Sequence, residues 1–328
     1  MLLPILLTAC NSYDEPDGGT REKRVIEFAK PFVNRATRAE AADTSVPFSE
    51  FRVYGFVHRP DSYIFDGELV RRQSDGKWLC DRAEYWYPNQ TYYFSGIAPA
   101  DSKGMQFTPA KKGNGTMSGG GTITYDIGAA GGREDLLYSF EMLRTPDVIP
   151  EYMPAVQLEF DHVLSKVEFV FYNDLISPRY FINVNWIQID GAYRSGAINM
   201  EIPEAKWTPT DSATTYVGVG SVPYIHTDRP STSAPVYILP VYRKDMGIML
   251  KTQVFEAKED FGNEGFEITP EETLTAAFPK IDLKPGRAYK LICRLRPDNV
   301  EGDDGQPLRP ISFTVEVSKW GEIFPETP

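Results

Sequence analysis

The segment RVIEFAKPF, residues 24–32, is a short alternation of apolar and other residues near the amino terminus. Ile26 and Phe28 fall on one face of an extended chain, and their neighbours Val25 and Glu27 fall on the other. The proline near its end has no N–H to give to a central ladder. The segment is therefore predicted to be a single edge strand.

The residues before this strand have the pattern of a bacterial lipoprotein signal peptide. Residues 1–10, MLLPILLTAC, are apolar through Leu7 and end in two small residues and Cys10. Only Met1 precedes the apolar run, which carries no Lys or Arg and is shorter than most such signals. We predict lipidation of Cys10 and anchoring through acyl chains. The alternative is a chance cysteine in an apolar amino terminus.

The strand is flanked by two polar stretches. Residues 11–23 are rich in Gly, Pro and charge, which predicts a flexible tether. Residues 34–40, NRATRAE, place Arg35 and Arg38 among small residues that suit a trypsin-like protease. A cut there would separate the strand from the folded body, whereas an exposed segment that is never cut is the alternative.

The composition of the body favours β structure. Aromatic residues make up 13% of the chain, with 18 Tyr and 19 Phe, and Gly and Pro number 26 each. That mixture is typical of short strands joined by turns. A length of 328 residues fits two domains. The Pro-punctuated stretch at 145–154 places their boundary between residues 149 and 150, giving domains at 24–149 and 150–328.

Runs with a period of two recur roughly every 10–20 residues, the spacing expected of β-sandwiches. The main predicted strands are residues 51–58, 69–72, 77–80, 91–98, 122–127, 135–140, 156–173, 185–190, 235–241, 289–296 and 311–318. The last is the cleanest alternation, with four apolar residues on one face: Ile311, Phe313, Val315 and Val317.

The sequence offers little for catalysis or cofactor binding. Its three histidines, His58, His162 and His226, lie in no recognised metal or catalytic spacing, so we predict no enzyme activity, no metal and no cofactor. The acidic loop at 298–305 lacks the spacing of a calcium-binding loop, which favours a solvated turn. The glycine-rich stretch at 111–121 lacks the Lys of a phosphate-binding loop. A net charge of −12 argues against nucleic acid.

Two features leave alternatives open. Cys80 and Cys293 could pair in an oxidising compartment, although two buried free thiols are favoured. The aromatic cluster at residues 85–93 could form a stacking platform for sugar rings, although core packing is favoured. Exposure of Trp86 in a groove would favour the platform. Its candidate residues are Tyr85, Trp86, Tyr87, Tyr92 and Tyr93.

The order of these features resembles the fimbrillin-like lipoprotein family of Bacteroidales pilus subunits. The resemblance covers nearly the whole chain: the lipobox, a first strand ending in a basic site, and then six motifs in order. These motifs are FRVYGF, YWYPNQTYYFSGIAP, DLLYS, LEFDHVLSKVEFVFY, PVYILP and ISFTVEVSKW. It implies an all-β fold of two tandem transthyretin-like β-sandwiches with about seven strands each.

The resemblance also implies a function in surface fimbriae. Such subunits reach the outer membrane as lipoproteins, lose their first strand to an arginine-specific protease, and accept a strand from the carboxyl end of another subunit. Carried to this chain, Cys10 is lipidated, Arg38 or Arg35 is the cleavage site, and residues 24–32 are removed. The donor strand lies within residues 311–324.

Partners would then be other fimbrial subunits in a homo- or hetero-polymer, the protease, the outer membrane and a host or bacterial surface receptor. Two alternatives remain. The chain could be a fimbrial anchor that keeps its lipid and is not cut. It could also be a monomeric outer-membrane lipoprotein that binds glycans through surface aromatics.

Overall fold

The computed structural model describes residues 23–33, 48–57, 62–110, 120–201, 205–300 and 309–320. Within these ranges nearly all regular structure is β, with 21 strands and two single-turn helices. The prediction of an all-β fold is confirmed. No helix in the described ranges is long and apolar enough to cross a membrane.

The elements are numbered in chain order. The strands are β1 (Phe32–Val33), β2 (Glu50–Val57), β3 (Ser62–Arg72), β4 (Trp78–Cys80), β5 (Thr91–Ala98), β6 (Met105–Pro109), β7 (Gly121–Asp126), β8 (Leu137–Arg144), β9 (Glu159–His162), β10 (Ser165–Asn173), β11 (Tyr180–Tyr193), β12 (Ser195–Asn199), β13 (Thr208–Pro209), β14 (Thr214–Ile225), β15 (Ser231–Thr232), β16 (Val236–Ile238), β17 (Gly247–Ala257), β18 (Gly265–Glu267), β19 (Glu272–Ala277), β20 (Arg287–Leu295) and β21 (Thr314–Lys319). The helical turns are α1 (Ile127–Ala130) and α2 (Pro297–Val300).

A seven-stranded sheet contains most of the amino-terminal half, in the order β1-β9-β8-β5-β2-β3-β4. Its pairs are antiparallel except β1 with β9. Strand β2 is an interior strand, between β3 and β5, as its apolar sequence predicts. The edges of this sheet are β4 on one side and β1, which pairs with β9, on the other.

Three further sheets complete the described fold. One has the order β15-β10-β20-β21, with β16 also pairing with β10, and a second has the order β14-β11-β17-β18, with β19 also pairing with β17. The third, β13-β12-β7-β6, combines strands from both halves of the chain. Strands β10 and β20 are parallel neighbours along nine residue pairs.

The buried side chains form two clusters. The smaller one lies against the seven-stranded sheet and includes Phe51, Phe65, Phe94 and Phe160. The larger one fills the space between the remaining sheets and also takes in residues from β5, β7 and β8. The predicted boundary at residues 149 and 150 stays a prediction, as does the transthyretin-like detail, and strands from either side of it share two sheets.

Most predicted strands are present, with different ends. The predicted strand at 156–173 is two strands, because the chain passes from the seven-stranded sheet to the sheet of β10 at Val163 and Leu164. Both residues are buried, and Val163 accepts a hydrogen bond from Trp207 Nε1 at 2.6 Å. A continuous apolar run does not reveal such a change of sheet, since both strands need buried residues.

Candidate functional site

The N-terminal strip, residues 24–33, includes β1 and runs between β4 on one side of the seven-stranded sheet and the chain leading into β9 on the other. Phe28 forms an antiparallel bridge to Trp78 of β4 and a parallel bridge to Val156, just before β9. The strip thus closes the sheet on itself. The sequence predicts a single edge strand over residues 24–32. In the structure only Phe32 of that range lies in a regular strand, β1 at the edge of the sheet, and the residues before it pair with both sides because the two sheet edges lie close together.

Main-chain hydrogen bonds run from the strip to both sides. The first residues bond to residues 84–86, and the later ones bond to residues 156–158. The bonds, donor first, are Ile26 N to Glu84 O (2.7 Å), Trp86 N to Arg24 O (2.8 Å), Ala29 N to Val156 O (2.9 Å), Val156 N to Glu27 O (2.7 Å) and Phe32 N to Leu158 O (3.3 Å). Only Phe32 and Val33 form a regular strand. Before these two residues the strip changes its hydrogen-bonding partner from residues 84–86 to residues 156–158, so no continuous ladder forms there.

The strip fills the smaller core with two large side chains, on the face that the alternation predicts. Ile26 is 3% exposed and Phe28 is 5% exposed, whereas Val25 on the other face is 43% exposed. The Phe28 ring lies among the rings of three other phenylalanines. Its centroid is 5.7 Å from that of Phe65, 6.0 Å from that of Phe94 and 6.1 Å from that of Phe51. Burying two such side chains stabilises the fold by about 3–6 kcal/mol.

The C-terminal segment, residues 309–320, is held on one side. Its strand β21 pairs antiparallel with β20 and forms an edge of its sheet. Ile311 is buried, and Phe313 and Val315 are half-buried against the larger core. The Phe313 ring centroid lies 5.7 Å from that of Phe169.

The predicted alternation in this segment was partly wrong. The strand begins only at Thr314, Val317 is 54% exposed, and Ser318 is 8% exposed. The register places Val317 opposite the buried Tyr289, on the same face. An edge strand can extend past the core that covers its neighbour, so an inward-facing residue need not be buried.

The end of the C-terminal segment is clamped between aromatic rings. The ring of Trp320 stacks on that of His162, with centroids 3.9 Å apart, and on that of Tyr237, with centroids 5.3 Å apart. His162 Nδ1 lies 2.9 Å from Asp135 Oδ1. Trp320 N donates to Gly286 O at 3.1 Å. Because His162 is in β9, this stack joins the C-terminal segment to the seven-stranded sheet.

The remaining histidine in the described ranges, His226, is also in a structural setting. It is 3% exposed, and its Nε2 lies 2.9 Å from Asn263 Oδ1.

The described residues contain no cluster of three or more His, Cys, Asp or Glu side chains that could hold a metal ion. His58 and most of the acidic loop at 298–305 lie outside the described residues. Only Asp298, Asn299 and Val300 of that loop are described, and Asp298 pairs with Arg309 at 3.1 Å.

Both described cysteines are free thiols. Cys293 is fully buried, whereas Cys80 is half-buried on β4, so the prediction of two buried thiols is right for Cys293 alone. Burial raises the pKa of the Cys293 thiol to about 12 and also raises that of Cys80.

Two residues of the aromatic cluster at residues 85–93, Trp86 and Tyr92, belong to the smaller core, whereas Tyr87 is 44% exposed. Trp86 is 4% exposed and Tyr92 is fully buried, and their ring centroids lie 4.8 Å apart. Trp86 also donates its main-chain N–H to the strip. The core-packing interpretation therefore describes Trp86 and Tyr92, and neither side chain presents a surface to a sugar.

The structure thus defines an all-β protein whose amino-terminal sheet is completed by a separate strip of chain. A family model described as fimbrillin-like matches residues 37–320, so the chain belongs to the fimbrillin-like family. This membership indicates a fimbrial structural or adhesion role at the cell surface, in association with other fimbrial subunits. The match begins after the strip. No curated protein matches the chain.

Two solved structures have a similar fold. A fimbrial protein from Bacteroides vulgatus aligns with a TM-score of 0.58 and 14% sequence identity, over 90% of this chain and 99% of that one. A protein assigned to cell adhesion from Bacteroides ovatus aligns with a TM-score of 0.53 and 14% identity, over 92% and 99% of the two chains. At this identity the likeness concerns the fold alone.

Proposed function

We propose that the chain is a subunit of surface fimbriae that polymerises by exchanging its N-terminal strip for a strand of another subunit. It is exported as a lipoprotein, attached to the outer membrane through Cys10 and cut after Arg38 by an arginine-specific protease. Arg35 is the alternate site. These three residues lie outside the described residues, and their roles are proposed from the sequence.

The observation that carries the proposal is the two-sided pairing of the strip. Removing it would leave two rows of main-chain N–H and C=O groups without partners, on either side of a groove lined by phenylalanine rings. Unpaired edges of this kind are templates for another strand. Because at least five main-chain bonds and two buried side chains hold the strip, a strand that replaced it would form a long-lived joint.

The C-terminal segment has the pattern that the groove requires. The strip buries residues two apart, Ile26 and Phe28, and Ile311, Phe313, Val315 and Val317 repeat the same spacing. An edge strand with one neighbour also has fewer bonds to break than a central strand. We therefore place the donor strand within residues 311–324.

The cleavage step is tested by amino-terminal sequencing of protein collected from the cell surface. We expect the mature chain to begin at Ala39. Arg38→Ala should leave lipidated monomers in the membrane, whereas the matched variant Arg35→Ala should still be cut and assembled. Fibres of normal length from the Arg38→Ala variant would move the cut to another site. Uncut, lipid-bearing protein within normal fibres would identify an anchor instead.

The exchange step is tested with a peptide spanning residues 309–324. Added to the full chain after arginine-specific cleavage, the peptide should displace the strip and remain bound through gel filtration. The same peptide with Phe313→Asp and Val315→Asp should not, since charges would enter an apolar groove. Equal binding of the two peptides would show that the groove does not select this strand.

A further inference from the structure

An exposed tryptophan lies on the outer face of the sheet formed by β14, β11 and β17. Trp186 is 40% exposed, and Tyr216 on the neighbouring strand is 65% exposed. Two half-buried polar side chains, Gln188 and Asp190, follow Trp186 on the same face of β11. The sheet register pairs Gln188 with Gly218 and Ile189 with the buried Val217 on β14, so Tyr216 lies on the same face as Gln188, two residues along β14 from Gly218.

A β-bulge places Trp186 on this face. In the pairing of β11 with β17, Val184 opposes Thr252 and Trp186 opposes Lys251, so Asn185 is an extra residue. The pairing of β11 with β14 shifts at the same point. Bulges redirect side chains and occur often next to functional sites. Without the extra residue, the strict alternation of β11 would turn residue 186 toward the core.

A glycine lets the indole lie down across the sheet. A Cβ atom at position 218 would come within 3.3 Å of both Cη2 and Cζ2 of Trp186, closer than ordinary van der Waals contacts. The ring therefore extends over β14 in the space that a side chain at 218 would occupy, and leaves part of its surface to solvent.

The indole is bordered by polar groups held in fixed positions. On one side Trp186 Nε1 donates to Gln188 Oε1 at 3.3 Å, and Gln188 Nε2 donates to Asp190 Oδ1. On the other side Glu271 accepts hydrogen bonds from Asn185 Nδ2 at 2.9 Å and from Lys251 Nζ at 3.0 Å. These two hydrogen bonds lower the pKa of the Glu271 carboxyl.

We propose that this face is a binding site for a neutral saccharide chain, with Trp186 as its stacking platform. A pyranose ring has an apolar C–H face that packs on an aromatic ring and a rim of hydroxyl groups that both donate and accept hydrogen bonds. Trp186 and Tyr216 provide the rings, and the two polar groups beside the indole provide partners for the rim.

The surroundings of Trp186 favour a sugar over a protein partner. The centres of protein interfaces are depleted in charged residues, whereas the charged Lys251 is paired with Trp186 in the sheet and Glu271 is bonded to Lys251. The negative net charge of the chain also argues against nucleic acid. A saccharide needs no large apolar area, and its hydroxyl groups can share the hydrogen bonds of the polar groups already in place.

The test is calorimetric titration of the full chain with cellohexaose, laminarihexaose and β-linked galactohexaose at millimolar concentrations. We expect at least one to bind and to change the tryptophan fluorescence. Trp186→Ala should weaken that binding at least about tenfold. The matched control is Phe266→Ala, which removes a 70% exposed aromatic side chain from β18 of the same sheet and should leave binding unchanged.

Two further variants separate the platform from a general effect on folding. Trp186→Phe keeps a ring and should retain part of the binding, whereas Gly218→Val should raise the indole from the sheet and weaken binding with Trp186 intact. Failure of all three sugars to bind, or equal affinity of Trp186→Ala and the wild type, would overturn the proposal. So would a result in which Trp186→Ala changes self-association in ultracentrifugation but no sugar binds, because the face would then be a contact between copies.

Discussion

The N-terminal strip and the C-terminal segment are both short alternating strands, but the protein holds them in different ways. The strip has main-chain partners on two sides and buries Ile26 and Phe28 almost completely. The C-terminal segment has one neighbouring strand, β20, and leaves Val317 exposed. Loss of the strip would thus open a groove between two edges, whereas loss of the C-terminal segment would expose the edge of one strand. This difference fits the proposal that the groove left by the strip is the acceptor and that the C-terminal segment is the donor.

The largest expected effect comes from shortening the side chains that fill the two cores. Phe28→Ala should lower the free energy of unfolding by about 3–5 kcal/mol, because the buried ring contacts three other rings and leaves a cavity. Phe313→Ala should cost about 2 kcal/mol, since that ring is half-buried. Urea denaturation of the full chain measures both.

Exposed neighbours serve as controls for this pair. Val25→Ala and Ser312→Ala should each change stability by less than about 0.5 kcal/mol. A cost for Phe313→Ala equal to or above that for Phe28→Ala would contradict the comparison and make the C-terminal segment the more firmly held of the two.

The second prediction concerns the ring stack that clamps the C-terminal segment. Trp320→Ala removes two aromatic contacts, with His162 and Tyr237, each worth about 0.5–1.5 kcal/mol. Hydrogen exchange of the β21 amides should become faster, while exchange in the strip stays the same. Val317→Ala, which shortens an exposed side chain of the same strand, should leave exchange in β21 unaltered. Equal acceleration in strip and strand would mean that the stack holds the whole fold.

The third prediction uses the two free thiols as reporters. Cys80 lies on β4, at the edge next to the strip, and Cys293 lies on β20, beside β21. A thiol reagent should label the half-buried Cys80 of the folded chain first, and displacement of the strip should speed that labelling by at least about tenfold. Labelling of Cys293 should stay slow, because that residue is fully buried. Acceleration at both thiols would show that loss of the strip unfolds more than its own groove.

The sequence predicts those features of this site that follow from the period of a single strand, and it does not predict those that depend on pairing between distant strands. Alternation identified the buried face of the strip, Ile26 and Phe28, because side-chain direction follows directly from the period of a strand. It could not reveal partners on two sides, since pairing depends on which edges the rest of the chain brings close. The same limit applies to Val317. The sequence correctly predicted the face of the strand on which Val317 lies, but it did not predict that this side chain is exposed.

The aromatic residues show a second limit. Trp86 stands between two tyrosines just before a predicted strand, and Trp186 stands within the predicted strand at 185–190, yet Trp86 is buried and Trp186 is exposed. The exposure of Trp186 depends on a bulge at Asn185, and the segment NWIQID contains no Gly or Pro that would have predicted one. An extra residue of this kind is found only from the residue-by-residue pairing of β11 with its neighbouring strands in the sheet.

The smallest effect at neutral pH concerns two tyrosines, one next to each terminal segment. Burial raises the pKa of Tyr92, under the strip, and of Tyr237, beside Trp320, from 10.0 to about 12. In the unfolded chain these phenols lose their protons near pH 10.0, whereas the folded protein keeps them to about pH 12. Folding therefore binds protons in this range, so the contribution of these two tyrosines to stability should be constant below about pH 10 and be lost as the pH rises toward 12.

Tyr92→Phe and Tyr237→Phe should each reduce that alkaline loss, and Tyr138, whose pKa burial also raises to about 12, should account for part of the remainder. At neutral pH Tyr92→Phe should cost about 1 kcal/mol, because Tyr87 N donates to the Tyr92 hydroxyl at 2.6 Å, while Tyr237→Phe should cost less. Urea midpoints at neutral and alkaline pH measure both effects. If Tyr92→Phe reduces the loss of stability at alkaline pH and Tyr237→Phe does not, the Tyr237 hydroxyl is solvated beside Trp320. The C-terminal segment would then be less tightly packed than the strip at its last residue as well as along its edge.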